Sequence, residues 1–119
     1  MAIIKTAELT GAALDWAVAK CAGLKTYIDD GVVCLKGQPF DDNAHYWLPT
    51  QNWPQGGPII EREKIGVVPS AEDASVWVGS VYEPEWKFNR TGPTPLIAAM
   101  RCYVASKLGD SVDVPNELI

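Results

Sequence analysis

The sequence predicts an α+β fold in a single domain spanning residues 1–119. Two segments carry apolar residues at helical spacing, and two pairs of short β-forming runs are each joined by turn residues. Strands joined by turns pair antiparallel, so we expect a small antiparallel sheet of two hairpins packed with two long helices and one short helix. The long helices can share one face of the sheet or cover both.

The first long helix is predicted over Thr10–Cys21. Leu14 and Val18 begin an apolar stripe, whereas Asp15 falls elsewhere on the helical wheel. The threonine at the start is suited to cap the helix, and Gly23 is suited to end it.

A hairpin is predicted next, with strands at Thr26–Ile28 and Val32–Leu35 around the turn residues Asp29–Gly31. Residues 37–57 show no periodicity. They hold more aromatic residues than a disordered linker normally would, which favours an ordered loop packed by its own rings: Phe40, Tyr46, Trp47 and Trp53.

Pro58 follows two glycines and suits the first position of a short helix over residues 58–63, although a strand is an equally open interpretation. Ile65–Val68 and residues 75–82 then predict a second hairpin with a longer loop. Residues 83–92 read as a polar loop.

The clearest helix is predicted over Thr94–Leu108, where threonine is a good N-cap and Pro95 a good first residue. We expect it to be the longest or second-longest helix, ended by Gly109. Its buried stripe is predicted to contain Leu96, Met100, Tyr103 and Val104. The tail, residues 110–119, has little periodicity.

The net charge of the chain argues against two classes of binding partner. The chain has a net charge of −5 and a pI of about 4.7, which argues against direct binding to nucleic acid or to an anionic membrane. No run approaches the roughly 18 apolar residues of a membrane span. Cys21, Cys34 and Cys102 show no CxxC-like spacing and are predicted to be reduced, which favours a cytosolic compartment.

Two glycine- and proline-marked segments are the first candidates for ligand binding. Each precedes a predicted helix start, where unpaired N–H groups and the helix dipole favour an anion. The alternative is that both are ordinary turns. The candidate residues are Gly56, Gly57 and Pro58 in one segment and Gly92, Pro93 and Thr94 in the other.

Aromatic and basic residues are the second set of candidates. Rings beside an anion-binding backbone suit a nucleobase joined to a phosphate, although large rings more often serve packing. The rings are Tyr46, Trp47, Trp53 and Trp86, and the arginines that could contact the anion are Arg62, Arg90 and Arg101. We expect Trp53, Gly57 and Gly92 near one concave pocket, with Arg101 or Arg62 at its edge.

Signals for catalysis are weak. His45 is the single histidine, no Cys/His cluster has zinc spacing, and no serine lies in a nucleophile elbow. We therefore predict no catalytic residue, no metal and no cofactor.

Three segments read together carry a family resemblance: Glu8–Lys20, Trp53–Glu63 and Gly92–Gly109. Across roughly residues 5–118, the chain is similar to the NinX-type family of small phage and prophage proteins of unknown function. The middle segment is also distantly similar to phage proteins with an alpha-beta-alpha sandwich domain, which implies sandwich-like layering. Asn52 stands where family members tend to carry an aspartate, which weakens any claim that an acidic residue is needed at this position.

The resemblance implies a phage accessory protein in the host bacterial cytoplasm and supplies no activity. Several unrelated phage blockers of host defence sequester nucleotide signals, an analogy of role that fits the candidate residues. We therefore expect binding of a small anionic, nucleotide-like ligand without turnover. The alternatives are an acidic inhibitor that docks on a host protein, and an enzyme acting on a nucleotide.

Chain size also suggests an assembly. Five tryptophans and a long aromatic loop are difficult to cover in so small a chain, so a homo-oligomer is expected, most simply a two-fold dimer.

Overall fold

A computed structural model of the chain describes residues 1–37, 45–81 and 88–119. It confirms the α+β class. The α-helices in this part of the chain are α1 (Gly11–Ala22), α2 (Trp53–Glu63) and α3 (Pro95–Leu108), and short 3-10 helices lie at Thr6–Glu8 and Asn116–Leu118. The strands are β1 (Ala2–Lys5), β2 (Thr26–Asp29), β3 (Val32–Leu35), β4 (Gly66–Pro69), β5 (Trp77–Val81), β6 (Phe88–Gly92) and β7 (Ser111–Val114).

The described strands form three small antiparallel sheets rather than a single sheet of two hairpins. β2 pairs with β3, β4–β5–β6 form a three-stranded meander, and β1 pairs with β7. The division has a physical reason: β3 packs against α1, whereas β5 and β6 pack against α3. The sandwich-like layering stays a prediction.

The first helix and the first hairpin are confirmed. Gly23 ends α1 in the left-handed region at φ 73°, while Thr10 stands at the N-cap without a side-chain hydrogen bond. Asp30 and Gly31 have φ of 52° and 75° between paired Asp29 and Val32, which is the two-residue turn that matches strand twist.

The second helix begins earlier than predicted. α2 starts at Trp53, five residues before Pro58, so the prediction that Pro58 opens the helix is wrong, as is the irregular assignment of residues 53–57. Pro54 occupies the first turn, where a missing N–H costs little. Pro58 lies in the helix interior, where it removes one bond of the helical ladder.

The meander and α3 pack closely. The predicted second hairpin is confirmed as β4 and β5, but part of the polar loop is strand β6. A Cβ on Gly79 would lie 2.7 Å from the carbonyl oxygen of Ala98, and a Cβ on Gly92 would lie 2.8 Å from the amide of the same residue. Both strands therefore need glycine where α3 crosses them.

The longest described helix, α3, forms the centre of the core and confirms the predicted stripe. All four stripe residues are buried: Leu96, Met100, Tyr103 and Val104. Thr94 caps the helix, since its Oγ1 accepts a hydrogen bond from the amide of Ile97 at 3.1 Å.

The two ends of the chain meet in a ribbon that the sequence does not predict. Ala2 pairs with Val114 and Lys5 pairs with Ser111. Thr6 continues the connection, because its amide donates to the carbonyl of Asp110 at 2.8 Å. The tail with little periodicity therefore contains strand β7.

The three cysteines are free thiols, as predicted. Burial raises the pKa of Cys21 and of Cys102 to about 11, so neither is activated as a thiolate at neutral pH. Candidate rings Phe40 and Trp86 lie outside the described residues.

Candidate functional site

A cleft of about 310 Å³ lies where α2 and α3 begin. It combines the turn before α2 with the first turns of both helices. The cleft is lined by Thr50, Gln51, Trp53, Thr94, Pro95, Leu96 and Ile97. We call it the interhelical cleft.

The segment before α2 is fixed by the side chain of Gln55. Its Oε1 accepts from the amide of Leu48 at 2.7 Å, and its Nε2 donates to the carbonyl of Tyr46 at 2.7 Å. The amides of Gln51 and Asn52 both donate to the carbonyl of Leu48. This turn sets where α2 begins and therefore where the ring of Trp53 stands.

The two helix starts supply few backbone donors. Pro54 and Pro95 have no N–H, and the amide of Ile97 is taken by its cap. The amides of Gln55 and Gly56 donate to the carbonyl of Asn52, so the amides of Trp53 and Leu96 are the first-turn donors that lie outside these bonds. Both helices still direct the positive ends of their dipoles towards the cleft, which favours a small anion.

Trp53 is the aromatic residue of the cleft. Its side chain is 53% exposed, which is unusual for so large an apolar ring. A Cβ built on Gly57 would lie 3.8 Å from Cε3 of this ring, so Gly57 sits beside it one turn along α2. An exposed ring next to the helix starts is available for stacking by a flat ligand.

A buried carboxyl group lies behind the wall of the cleft. Asp15 on α1 is 1% exposed, and its Oδ1 accepts a hydrogen bond from the backbone N–H of Thr50 at 3.1 Å. Burial raises the pKa of Asp15 to about 6, although bonds from the hydroxyl and amide of Thr50 oppose the shift. The sequence placed Asp15 off the apolar stripe, and only its contacts show its environment.

Trp47 belongs to a different surface. It is 7% exposed, and its Nε1 donates to the carbonyl of Asp15 at 3.0 Å. It borders a groove of about 320 Å³ on the other side of α2, which we call the α2 groove. The groove is lined by Ala22, Leu24, Leu35, Trp47, Pro54, Gln55, Pro58, Ile59 and Arg62.

The predicted site residues therefore divide. Trp53 and Thr94 line the interhelical cleft, with exposed Pro93 next to the latter. Trp47, Pro58 and Arg62 line the α2 groove. Gly56 and Gly92 serve close packing, since a Cβ on Gly56 would overlap the carbonyl of Pro49 and one on Gly92 would meet α3.

Neither predicted arginine lines the cleft in the described part of the chain. Arg101 donates from Nε to the carbonyl of Leu9 at 2.7 Å and from Nη1 to the carbonyl of Thr91 at 3.0 Å. Arg62 forms a 2.9 Å ion pair with Glu63, and its Nη2 reaches the hydroxyl of Tyr103 at 3.4 Å.

A depression of about 470 Å³ lies where the chain ends meet β6, bordered by Lys5 and Arg90. Nη2 of Arg90 is 3.0 Å from Oδ1 of Asp110, so this cation already has a carboxylate partner. The depression is a weaker anion site for that reason.

Groups of metal-ligating type do not gather among the described residues: no three His, Cys, Asp or Glu side chains come together there. His45 is 4% exposed, with its ring centroid 4.0 Å from that of Tyr46. Among the described helices, none is long and apolar enough to span a bilayer.

Comparison with known proteins identifies a family. The model of the family described as "Bacteriophage P22, NinX" matches residues 5–107 of the 119. No curated protein matches the chain.

Proposed function

The chain belongs to the bacteriophage P22 NinX family, which makes it a phage accessory protein, and we propose that it binds a small anionic, nucleotide-like ligand without turnover. The proposed site is the interhelical cleft. The proposed role is sequestration of a host defence signal in the bacterial cytoplasm.

One observation carries this proposal: exposed Trp53 lies in a cleft on which the first turns of α2 and α3 converge. The helix dipoles and two remaining amides favour the anionic part of the ligand, and the ring offers a stacking surface. The described lining includes no carboxylate, imidazole or amine side chain that could act as a general base, which supports binding without turnover.

Binding is tested by thermal shift against nucleotides and cyclic dinucleotides. A ligand at 100 times its Kd adds about 2.7 kcal/mol to the free energy of unfolding, which is readily detected. Phosphorus NMR of the mixture checks that the nucleotide is recovered unchanged. A panel without any stabilising member contradicts the proposal, and appearance of a product favours the enzyme alternative.

Trp53→Ala is expected to weaken ligand binding at least tenfold, about 1.4 kcal/mol, because stacking on the ring is lost. Trp53→Phe keeps an aromatic face and should lose less. Since the ring is half exposed, the free energy of unfolding should change by less than about 0.5 kcal/mol. Isothermal titration calorimetry and urea unfolding measure the two effects.

Gln51→Glu tests the charge preference of the same cleft. Gln51 is exposed, so the substitution adds a negative charge to the lining without disturbing the core. Affinity for an anion should fall, while Gln51→Ala serves as the matched uncharged control. Equal affinities for the two variants would contradict an anionic ligand.

A second candidate, an inhibitor of a host protein, is favoured by the α2 groove. Leu24, Pro54 and Pro58 present apolar surface around it, and Leu24 is 39% exposed. Exposed apolar patches commonly mark protein interfaces. Leu24→Glu should abolish capture of a specific host protein and leave nucleotide binding intact, whereas Trp53→Ala should do the reverse if the two surfaces act separately.

A further inference from the structure

The interhelical cleft has an uncharged lining and a carboxyl group behind it. All seven described residues that line it lack a formal charge. Thr50 forms part of the lining, and its amide donates to the buried carboxylate of Asp15 at 3.1 Å. Among the described residues, the lining therefore offers a ligand no cationic side chain, whereas Thr50 of that lining contacts an enclosed anion.

That arrangement distinguishes anions by the size of their charge. The Asp15 side chain is excluded from water, so solvent screens its charge poorly. Its repulsion of a ligand grows in proportion to the ligand's charge. A phosphomonoester carries about 1.5 to 2 negative charges at neutral pH, whereas a phosphodiester carries one.

We propose that Asp15 determines the charge class of the ligand, and that the cleft takes a phosphodiester monoanion attached to a flat ring in preference to a phosphomonoester dianion. This rests on the proposed function of the same cleft. Thr50 transmits the effect, because it contacts the carboxylate on one side and lines the cleft on the other.

The contacts of Asp15 make the assignment testable by one substitution. The bonds to its carboxylate come from the amide and hydroxyl of Thr50, and the indole of Trp47 bonds to its backbone carbonyl. Asp15→Asn keeps the shape and an acceptor for the Thr50 amide while removing the charge. His45 is a buried titratable group in the segment that carries Thr50, so the variant also separates its effects from those of Asp15.

The test measures calorimetric affinities for 3′,5′-cyclic AMP and 5′-AMP at pH 7.5. The natural chain should bind the cyclic diester roughly tenfold more tightly, the effect expected of one extra unit of repulsion at the effective dielectric of a protein surface. Asp15→Asn should bring the two affinities together, chiefly by improving that of 5′-AMP. Equal or reversed preference in the natural chain, or an unchanged ratio in the variant, overturns the inference and leaves the proposed function standing.

A pH series on the natural chain keeps the inference testable if Asp15→Asn does not fold. The single charge of cyclic AMP is constant between pH 7.5 and 5.5. The series is repeated on His45→Gln, and the gain in affinity at the lower pH that persists without the imidazole reports loss of the Asp15 charge. We expect a several-fold gain with proton uptake on binding, seen by titration in two buffers of different ionisation enthalpy. Flat affinity without proton uptake overturns the inference. Failure of both nucleotides to bind also overturns the inference, whereas the proposed function falls only when no member of the nucleotide and cyclic dinucleotide panel binds.

Discussion

Ionisation of the Asp15 carboxyl group is unfavourable because the group is buried. Its pKa is about 6 in the folded chain against an ordinary value of 3.8, so between these values the folded state holds more protons than the unfolded state. Stability therefore falls as pH rises through this window. From pH 5 to pH 7.5 we expect a loss of about 1.4 kcal/mol from this group, measured by urea unfolding.

Asp15→Asn should remove that slope and make the protein more stable at pH 7.5, because an amide needs no desolvation of a charge. The difference between the two chains isolates this residue from other titrating groups. A lower free energy of unfolding for the variant than for the natural chain at pH 7.5 would mean that the charge itself strengthens the bonds from Thr50.

Arg101 holds two distant parts of the backbone. Its guanidinium joins the carbonyl that precedes α1 to a carbonyl on β6, at Leu9 and Thr91. Arg101→Ala should therefore destabilise the fold by about 1.5–3 kcal/mol, the range for hydrogen bonds to a charged group. Chemical denaturation measures this, with Arg101→Lys as an intermediate case because an ammonium lacks the guanidinium's fork.

The alternative for Arg101 is the ligand contact expected from the sequence. Unchanged stability of Arg101→Ala together with weakened nucleotide binding would restore that role. The side chain lies one helical turn from Ile97, which lines the cleft, so the distinction needs measurement of both properties.

Side-chain environment is what the sequence predicted least well at the residue scale. Helical periodicity placed Asp15 away from the apolar stripe, but a neighbouring segment covers that side of α1 and buries the carboxyl group. Likewise, Arg101 could be assigned a charge but not a partner. Both outcomes depend on contacts between residues that lie ten or more positions apart in the chain, which local patterns do not encode.

Two adjacent glycines of α2 should respond in opposite directions to the same substitution. A Cβ on Gly56 would overlap the carbonyl of Pro49 and lie 2.6 Å from Cδ2 of Leu96. Gly56→Ala should cost about 1–3 kcal/mol through overpacking. Gly57→Ala is the matched control, since its nearest neighbour is the Trp53 ring at 3.8 Å, an ordinary contact.

We expect Gly57→Ala to stabilise the chain by about 0.5–1 kcal/mol, because alanine is the better helix former. Thermal and urea unfolding of both variants measure the contrast. Similar effects of the two substitutions would mean that α2 does not pack against Pro49 as described.

Elements with a complete local signal were predictable. The α3 helix has a cap, a stripe and a glycine stop, and the β2–β3 hairpin has an Asp-Gly turn. The start of α2 was not, because two glycines and two prolines favour a turn on propensity alone. Tertiary contacts stabilise that start: Gln55 ties it to the preceding turn, and Gly56 allows it close to Pro49.

For the whole molecule, a two-fold dimer stays the prediction. Large apolar side chains remain at the surface of the described chain, including Leu24, Trp53 and Val68. Light scattering across a range of concentrations should give twice the 12.9 kDa chain mass. A mass of one chain at every concentration contradicts the prediction.

Topology was the least predictable property at this scale. Local turn signals identify hairpins, but no local sequence pattern indicates that the two hairpins pack on different helices and so belong to different sheets. The same holds for the interhelical cleft: of the candidate residues, Trp53 and Thr94 line it, and their convergence is a property of α2 and α3 together.

The β1–β7 ribbon bears on how the chain folds as it is synthesised. Val114 is added to the growing chain more than a hundred residues after its partner Ala2. At a synthesis rate of about 5–20 residues per second, β1 is made on the order of ten seconds before β7. The helices and both hairpins are therefore synthesised before the ribbon can close, so pairing of β1 with β7 is a late step in the folding of the nascent chain.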